Sequence, residues 1–290
     1  MTENKPDSLP PVVYVLIAVL LWSTGGLFIK LTTLDAYQVT FFRSLLAGIT
    51  VAILTRKQGL RINLFGVLSS IIYATLLFLF VWATKKTTAA NAIFLQYTAP
   101  IYILILAPFV IGEKFHWRDL VTVIFCIGGM SLFFVGKLEI SDYQGNIAAL
   151  FSGMFLGLYI MLLRHPRAKG FNPAIAVIYG NLLLAVLTVP SGIAAVPVMK
   201  LVDIGSVAFL GIVQIGIAYI LFIRGVTGGT RPLDASIIGF IEPLLNPVWV
   251  FLFVGEQPSA WAILGGAIII TTVIIHTLVQ YREKSGSVSP

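Results

Sequence analysis

The chain has 290 residues, of which 58% are hydrophobic and only 11% are charged, and its mean hydropathy is +0.97. These values lie far from those of soluble globular proteins and leave no room for a soluble domain. The formal net charge of +7 does not indicate nucleic-acid binding, because the basic residues stand mostly in short gaps between apolar runs.

Ten apolar runs follow one another along the chain. A helix that crosses about 30 Å of hydrocarbon needs roughly 20 residues, so ten such helices would account for most of the length. Strands of a membrane barrel would instead alternate polar and apolar residues. The sequence therefore predicts an all-α integral membrane protein with ten transmembrane helices. The runs lie near 11–30, 36–55, 62–84, 88–111, 119–136, 145–163, 173–198, 203–224, 232–254 and 259–280.

The basic residues predict the orientation, because positive charge is enriched in cytoplasmic loops. If the amino terminus is cytoplasmic, five basic residues fall on the outer side, namely Lys30, Lys85, Lys86, Lys137 and Lys200. Arg43 lies inside a run, and the other thirteen fall on the inner side. We therefore predict a multi-pass protein of a bacterial inner (plasma) membrane with both termini in the cytoplasm.

The two halves of the chain are related. At an offset of 143 residues, Pro100 aligns with Pro243, and Gly112–Glu113 aligns with Gly255–Glu256. A weaker match, at an offset of 137, pairs the segments that begin at Asp35 and Asn172. Because five is odd, a second set of five helices would enter the membrane inverted, as in many secondary transporters. We predict two five-helix repeats, 1–138 and 139–290.

Several segments resemble those of a known family. They are the paired segments QYTAPIYILILAPFVIGE and FIEPLLNPVWVFLFVGE, the first-run segment LWSTGGLFIK, and FFRSLLAG around Arg43. The chain resembles, over about its whole length, the EamA-type permeases of the drug/metabolite transporter superfamily. This resemblance implies ten helices around a central cavity, cytoplasmic termini, and movement of small metabolites or drugs, with export favoured over uptake.

Glu242 stands about nine residues into its run, roughly 14 Å from the cytoplasmic edge. A carboxylate at that depth costs about 2.5 to 3.5 kcal/mol, so it should face the interior of the bundle. It could bind a cation, pair with a base, or carry a proton during transport. Alternatively, a protonated Glu242 could donate a hydrogen bond to a backbone carbonyl that has lost its helical hydrogen bond because of Pro243.

Arg43 lies roughly 10 Å below the outer edge of the second run. An arginine at this depth should pair with Glu242 or another acceptor, or bind an anionic group of a substrate. The alternative is that its side chain extends outward to the membrane surface.

Other polar and aromatic residues interrupt the runs where lipid-facing positions would be aliphatic. Gln96 and Tyr97 are at a depth similar to that of Arg43. Each of these polar and aromatic residues could instead form a hydrogen bond that holds two helices together. Together they predict a cavity with polar anchors and aromatic walls. The remaining candidates are Trp22, Tyr73, Gln214, Tyr219 and Asn246.

Two patterns concern helix shape and packing. Pro100 and Pro243 occupy equivalent positions in the repeats and predict kinks or breaks. Small residues recur every fourth position in the sixth run, and they predict a close packing seam. These residues are Gly145, Ala149, Gly153 and Gly157.

We predict no cofactor, no metal site and no enzyme activity. Cys126 has no second cysteine to pair with, and His116, His165 and His276 are assigned to scattered loop or end positions. No phosphate-binding loop or catalytic triad is recognisable.

The sequence predicts a secondary active transporter, with export favoured, of a small organic metabolite such as an amino acid or a drug-like compound, working by alternating access. The lipid bilayer and the solute are its predicted partners, proton coupling through Glu242 is a hypothesis, and the oligomeric state is left open. The alternative is an intramembrane enzyme or a membrane scaffold that does not transport.

Overall fold

The computed structural model describes residues 9–87, 89–133, 135, 143–254 and 259–286, and these parts contain helices and no strand. The helices of the first half are α1 (Pro11–Trp22), α2 (Gly25–Leu31), α3 (Ala36–Thr55), α4 (Leu64–Lys86), α5 (Ala89–Gln96), α6 (Ala99–Val110) and α7 (Trp117–Phe133). Those of the second half are α8 (Tyr143–Leu162), α9 (Ile175–Leu187), α10 (Val189–Ala195), α11 (Leu201–Ala208), α12 (Ala218–Thr227), α13 (Pro232–Gly239), α14 (Ile241–Val254) and α15 (Ala260–Gly286). A π-helical segment, Phe209–Ile217, joins α11 to α12.

The ten apolar runs are helical over most of their described residues. Among the described residues, seven helical segments are long and apolar enough to cross a membrane, and an eighth arises if α9 and the bent α10 segment form one span. The chain is therefore a multi-pass membrane protein. Ten membrane-spanning helices remain a prediction.

Helices are broken at the proline-containing positions predicted from the sequence. The break between α5 and α6 falls at Tyr97–Thr98, just before Pro100, and the Thr98 hydroxyl donates to the carbonyl of Leu95 at 2.6 Å. The break between α13 and α14 falls at Phe240, shortly before Pro243. The predicted discontinuities are thus confirmed.

These two breaks meet in the centre of the molecule. The rings of Tyr97 and Phe240 have their centroids 5.6 Å apart. The two residues are also equivalent at the 143-residue offset that aligns Pro100 with Pro243. Helix ends and their unpaired backbone groups therefore lie beside the central cavity described below.

The loops gather at two ends. We call one the Arg-rich end, which comprises loops 56–63, 111–116, 163–174 and 228–231. Asn172 donates to the carbonyl of Gly59 at 3.1 Å, and Arg164 lies 3.8 Å from Glu113. At the opposite end, loop 32–35 is held to the start of α11, because Thr32 donates to Asp203 at 2.8 Å. Contacts between the two halves of the chain therefore link the loops at both ends.

The most extensive helix contacts also join the two halves. Helix α4 packs along α8, α1 along α12, α3 along α9, and α7 along α15. In addition, α3 packs against the π-helical segment and α4 against α9. Neither half buries its apolar surface alone, so the core is shared between them.

The predicted seam on α8 is confirmed. A Cβ atom added at Gly153 would lie 2.6 Å from the carbonyl oxygen of Gln96, and one at Gly157 would lie 3.2 Å from that of Ala99. One at Gly145 would lie 2.8 Å from the backbone between α4 and α5. Only glycine allows α8 to approach the α5–α6 break so closely.

Candidate functional site

A central cavity of about 780 Å³ lies between the helices of both halves. Segments from α1, α3, α4, α5, α6, α8, the π-helical segment, α12, α13 and α14 contribute to its wall. The structure brings together seven of the nine residues that the sequence predicted for the site, namely Trp22, Arg43, Gln96, Tyr97, Gln214, Tyr219 and Glu242.

Glu242 lies in the first turn of α14, immediately after the break at Phe240. The Tyr97 hydroxyl donates a hydrogen bond to Glu242 Oε2 at 2.6 Å. The first turn of a helix stabilises a carboxylate, because the free backbone N–H groups and the helix dipole both favour negative charge there. The two broken helices are therefore joined by a polar contact at the wall of the cavity.

Arg43 lies on α3 and is only 8% exposed. Its Nε has no hydrogen-bond partner among the described residues, and no ion pair between Arg43 and Glu242 is present there. Because a buried charge normally has a partner, this guanidinium is suited to an anionic group supplied by a ligand. Its burial does not fit the alternative in which the side chain extends to the membrane surface.

Two further polar residues hold helices together at the cavity wall. Gln96 donates to the hydroxyl of Ser152 at 2.8 Å, and Ser152 donates to the carbonyl of Leu76 at 2.9 Å. Gln214 Nε2 makes a long bond of 3.4 Å to the carbonyl of Trp22. Gln214 Oε1 and Trp22 Nε1 are both buried without a partner among the described residues.

The aromatic wall forms around Tyr219. The ring of Tyr219 lies 4.8 Å from that of Trp22 and 5.2 Å from that of Tyr73, measured between centroids. Tyr73 itself is fully buried and does not line the cavity; it packs behind Tyr219 and accepts a hydrogen bond from Asn181 at 3.2 Å. The side chain of Asn246 lies outside the described part of the structure.

Sequence reasoning missed several residues of this wall. Ser236 carries a hydroxyl common in any apolar helix, as does Ser152, which binds Gln96 behind the wall. Phe80 and Phe222 are indistinguishable in sequence from lipid-facing phenylalanines. Phe240 aligns with Tyr97 in the repeat, and this alignment could have identified Phe240 as a residue near the site. No local signal marks the π-helical segment that carries Gln214.

A charge network at the Arg-rich end was also missed. Arg231 lies 3.0 Å from Asp119 of the first half and 2.8 Å from Asp234 of the second. Burial alone would lower the pKa of Arg231, but its bonds to Asp234 and Asp119 reverse this and raise the pKa. The network therefore holds the start of α7 against the start of α13.

His276 completes this network, and it lies near the end of its membrane-spanning segment, within a helix rather than in a loop. It is buried within α15, where Nε2 lies 2.9 Å from Asp234 Oδ1 and Nδ1 lies 3.2 Å from the Thr122 hydroxyl. The helix continues beyond His276 to Gly286, which the charges after residue 280 concealed.

Glu113, of the first repeated Gly-Glu pair, lies at the Arg-rich end. It is partly buried beside Arg164, and burial raises its pKa. Its repeat equivalent, Glu256, lies outside the described residues.

Comparison with known proteins identifies the family to which the chain belongs. A sequence profile described as the EamA-like transporter family matches the chain twice, at residues 9–135 and 143–278. The chain belongs to the EamA-like transporter family. Because this family is one of transporters, the match points to a transporter of small molecules and away from an enzyme.

Curated relatives of this EamA-family chain are similar over nearly their whole length. A protein of Archaeoglobus fulgidus named as an uncharacterized transporter is 25% identical, covering 92% of this chain and 96% of that protein. A pseudopaline exporter of Pseudomonas aeruginosa is 24% identical, covering 88% and 89%. A probable terminal-alkyne amino-acid exporter of Streptantibioticus cattleyicolor is 22% identical, covering 93% and 95%.

A solved crystal structure shares the fold. It superposes with a TM-score of 0.77 and covers 93% of this chain and 97% of the other, at 18% sequence identity. The arrangement of helices around the central cavity is therefore one that occurs in an experimental structure.

Proposed function

We propose that this EamA-family protein is a secondary active exporter of a small organic metabolite that carries both a carboxylate and an ammonium group, such as an amino acid. The observation that carries the proposal is the wall of the central cavity. Arg43 and Glu242 are of opposite charge and line the same cavity, with no ion pair between them among the described residues.

The unpaired atoms of the wall match such a solute. Arg43 Nε and Trp22 Nε1 are donors without partners, as the carboxylate of a solute requires. Gln214 Oε1 is an acceptor without a partner among the described residues, and Glu242 adds a carboxylate on α14. Both can accept hydrogen bonds from an ammonium group, which has only donors. A buried polar group without a partner costs about 1 to 3 kcal/mol, so a solute that supplies the missing bonds would be favoured.

We further propose that the chain forms two inverted repeats, 1–138 and 139–290, with ten membrane-spanning helices. Exchanging the halves converts the α4–α8 contact into the α12–α1 contact, and the contact of α3 with the π-helical segment into that of α9 with α4. The α3–α9 and α7–α15 contacts convert into themselves. This exchange and the double family match support alternating access, in which the halves move around a central site.

Orientation and export belong to the same proposal. The loops of the Arg-rich end carry most of the loop arginines, which supports placing that end, and both termini, in the cytoplasm of a bacterium. Two relatives named as exporters support outward transport, and one of them is named for an amino acid. We assign Glu242 as a candidate proton site, because its carboxylate lies at the cavity beside the Tyr97 hydroxyl.

The test is transport by purified protein in sealed liposomes loaded with a mixture of radiolabelled amino acids. We expect the labelled amino acids to leave the liposomes without chemical change, and to leave faster than they leave liposomes without protein. Chemical conversion of lipid or peptide without movement of solute would support the enzyme alternative. The absence of both transport and conversion would support a scaffold.

A further inference from the structure

A second cavity, which we call the end cavity, lies at the Arg-rich end. It has a volume of about 450 Å³ and is bounded by the start of α4, the end of α8, loop 163–174 and the start of α9. Arg61, Ser69, Tyr159, Ala168 and Phe171 are among the residues that line it. No described residue lines both this cavity and the central one.

A layer of three tyrosines separates the two cavities. Tyr159 lines the end cavity and Tyr219 lines the central cavity, with ring centroids 6.1 Å apart. Tyr73 packs edge to face against both rings, at 5.1 Å and 5.2 Å. The layer between the cavities is thus two side chains thick, and it is formed by α4 of the first half and by α8 and α12 of the second.

Ring contacts join all three tyrosines, and the side chains of Tyr73 and Tyr219 also share a hydrogen bond. The Tyr159 hydroxyl is fully buried and has no partner among the described residues. Nearby, Asn181 Nδ2 donates to Tyr73, while Asn181 Oδ1 has no partner there. Buried polar groups are rarely left unpaired, so a further arrangement that supplies partners from solute, water or each other is expected.

The rim of the end cavity is basic. Arg61 is exposed at its wall, and Ala168, which lines the cavity, stands between Arg167 and Lys169 in the chain. A cleft with charge of one sign raises the local concentration of solutes with the opposite charge. Such a rim favours a solute that carries a carboxylate.

From this geometry we propose that the end cavity is a second binding site for the carboxylate-bearing solute, and that Tyr73, Tyr159 and Tyr219 form the gate through which it passes to the central cavity. The proposal rests on the proposed transport function and adds to it a place of access and a named gate. The gate opens when Tyr159 and Tyr219 separate, which the movement of α8 relative to α12 accomplishes.

The first experiment tests whether the solute passes through the end cavity. In the full chain with Cys126→Ala, which removes the one native cysteine, Ser69→Cys places a thiol in the buried wall of this cavity. Treatment with a negatively charged, membrane-impermeant methanethiosulfonate should lower amino-acid transport in liposomes at least tenfold. Leu64→Cys is the matched control, since it is 85% exposed on the same helix and should lose less than twofold.

Either of two results would overturn the proposal: Ser69→Cys is fully modified and transport is unchanged, or its thiol is not modified at all. If the Cys126→Ala chain itself moves no amino acid, the proposed transport function is wrong. The second experiment then tests the gate without measuring transport.

The second experiment measures the gate directly. Ser236→Cys places a buried thiol in the central cavity, in the same Cys126→Ala chain. The reagent is supplied to vesicles whose Arg-rich end faces outward, as verified by reaction of an exposed Lys57→Cys reporter. We expect Tyr159→Ala to raise the rate of Ser236→Cys modification at least tenfold, and Tyr159→Phe, which keeps the ring, to change it less than twofold.

Equal rates in the two Tyr159 variants would contradict a gating role for the ring. If Tyr159→Ala does not yield folded protein, Tyr219→Leu opens the same layer from the central side and should give the same increase relative to Tyr219→Phe.

Discussion

Arg43 is a guanidinium buried between helices and left without a hydrogen-bond partner at Nε among the described residues. Its position on α3 and at the cavity wall suits it to bind an anionic group of the proposed solute. A residue that serves a ligand and one that serves the fold respond differently to removal, and this difference can be measured.

Arg43→Ala should weaken binding of amino acids about tenfold or more, because a hydrogen bond to a charged group contributes about 1.5 to 3 kcal/mol. Amines of the same skeleton that lack the carboxylate should lose less than about threefold. Since Arg43 Nε has no partner among the described residues, the melting temperature should not fall. Equal weakening for acids and amines, or a large loss of thermal stability, would indicate a structural role instead.

Glu242→Gln should abolish transport driven by a pH gradient while the protein still folds, because the amide cannot take up or release a proton at the cavity. The measurement is amino-acid flux in liposomes with and without an imposed pH difference. Glu113→Gln is the control, since this carboxylate lies at the Arg-rich end, outside the central cavity. Normal gradient-driven flux in Glu242→Gln would remove the proton role.

Arg231→Ala should lower the free energy of unfolding by about 3 kcal/mol, because Asp119 and Asp234 would remain buried without their guanidinium partner. Denaturant titration in detergent micelles would measure the change, with exposed Lys57→Ala as a control expected within about 0.5 kcal/mol of the parent. Adding Asp119→Asn to Arg231→Ala should restore part of the loss. No recovery would mean that the unpaired carboxylate is not the cause.

At the scale of single elements, the helix breaks and the glycine seam create the site together. The α5–α6 break places Gln96 and Tyr97 at the cavity, and α8 reaches this break because its glycines carry no side chain. Proline and glycine patterns are local and could be predicted from sequence. The bend of 67° between α9 and α10 falls just before Pro190 and so carries the same kind of signal, which the sequence analysis did not use. The π-helical segment carries no such local signal.

Gly153→Ala should destabilise the protein by about 1 to 3 kcal/mol, because the new methyl group would meet the Gln96 carbonyl at 2.6 Å and overpack the seam. It should also slow transport, since Gln96 lines the cavity. Gly128→Ala is the matched control: it lies in α7 with open space around it and should be neutral or stabilising by up to about 1 kcal/mol. Similar melting temperatures for the two variants would refute the packing account.

At the scale of the whole molecule, the largest helix contacts join one half of the chain to the other. Either half on its own would expose the apolar and polar surfaces that α4, α1, α3 and α7 bury against their partners. The halves therefore form one cooperative unit, even though each matches the family profile by itself.

Coexpression of 1–138 and 139–290 as separate chains should give a single monodisperse species by size-exclusion chromatography, and either half alone should aggregate or be degraded. The reason is that the interface supplies most of the packing of each half, and covalent continuity at residue 138 adds little. A stable, monodisperse half would contradict this dependence.

The membrane location, the helical runs, the two proline breaks and seven residues of the cavity wall followed from sequence alone. They depend on local quantities: the hydropathy of a run, the missing N–H of proline, and the cost of a polar side chain in hydrocarbon. Tertiary structure decided which polar groups meet. It pairs Glu242 with Tyr97, leaves Arg43 Nε without a partner in the described part of the chain, places Tyr73 behind the wall and joins Arg231 to carboxylates from both halves. Such pairings depend on helix rotation and crossing, which are set by contacts between residues far apart in the chain.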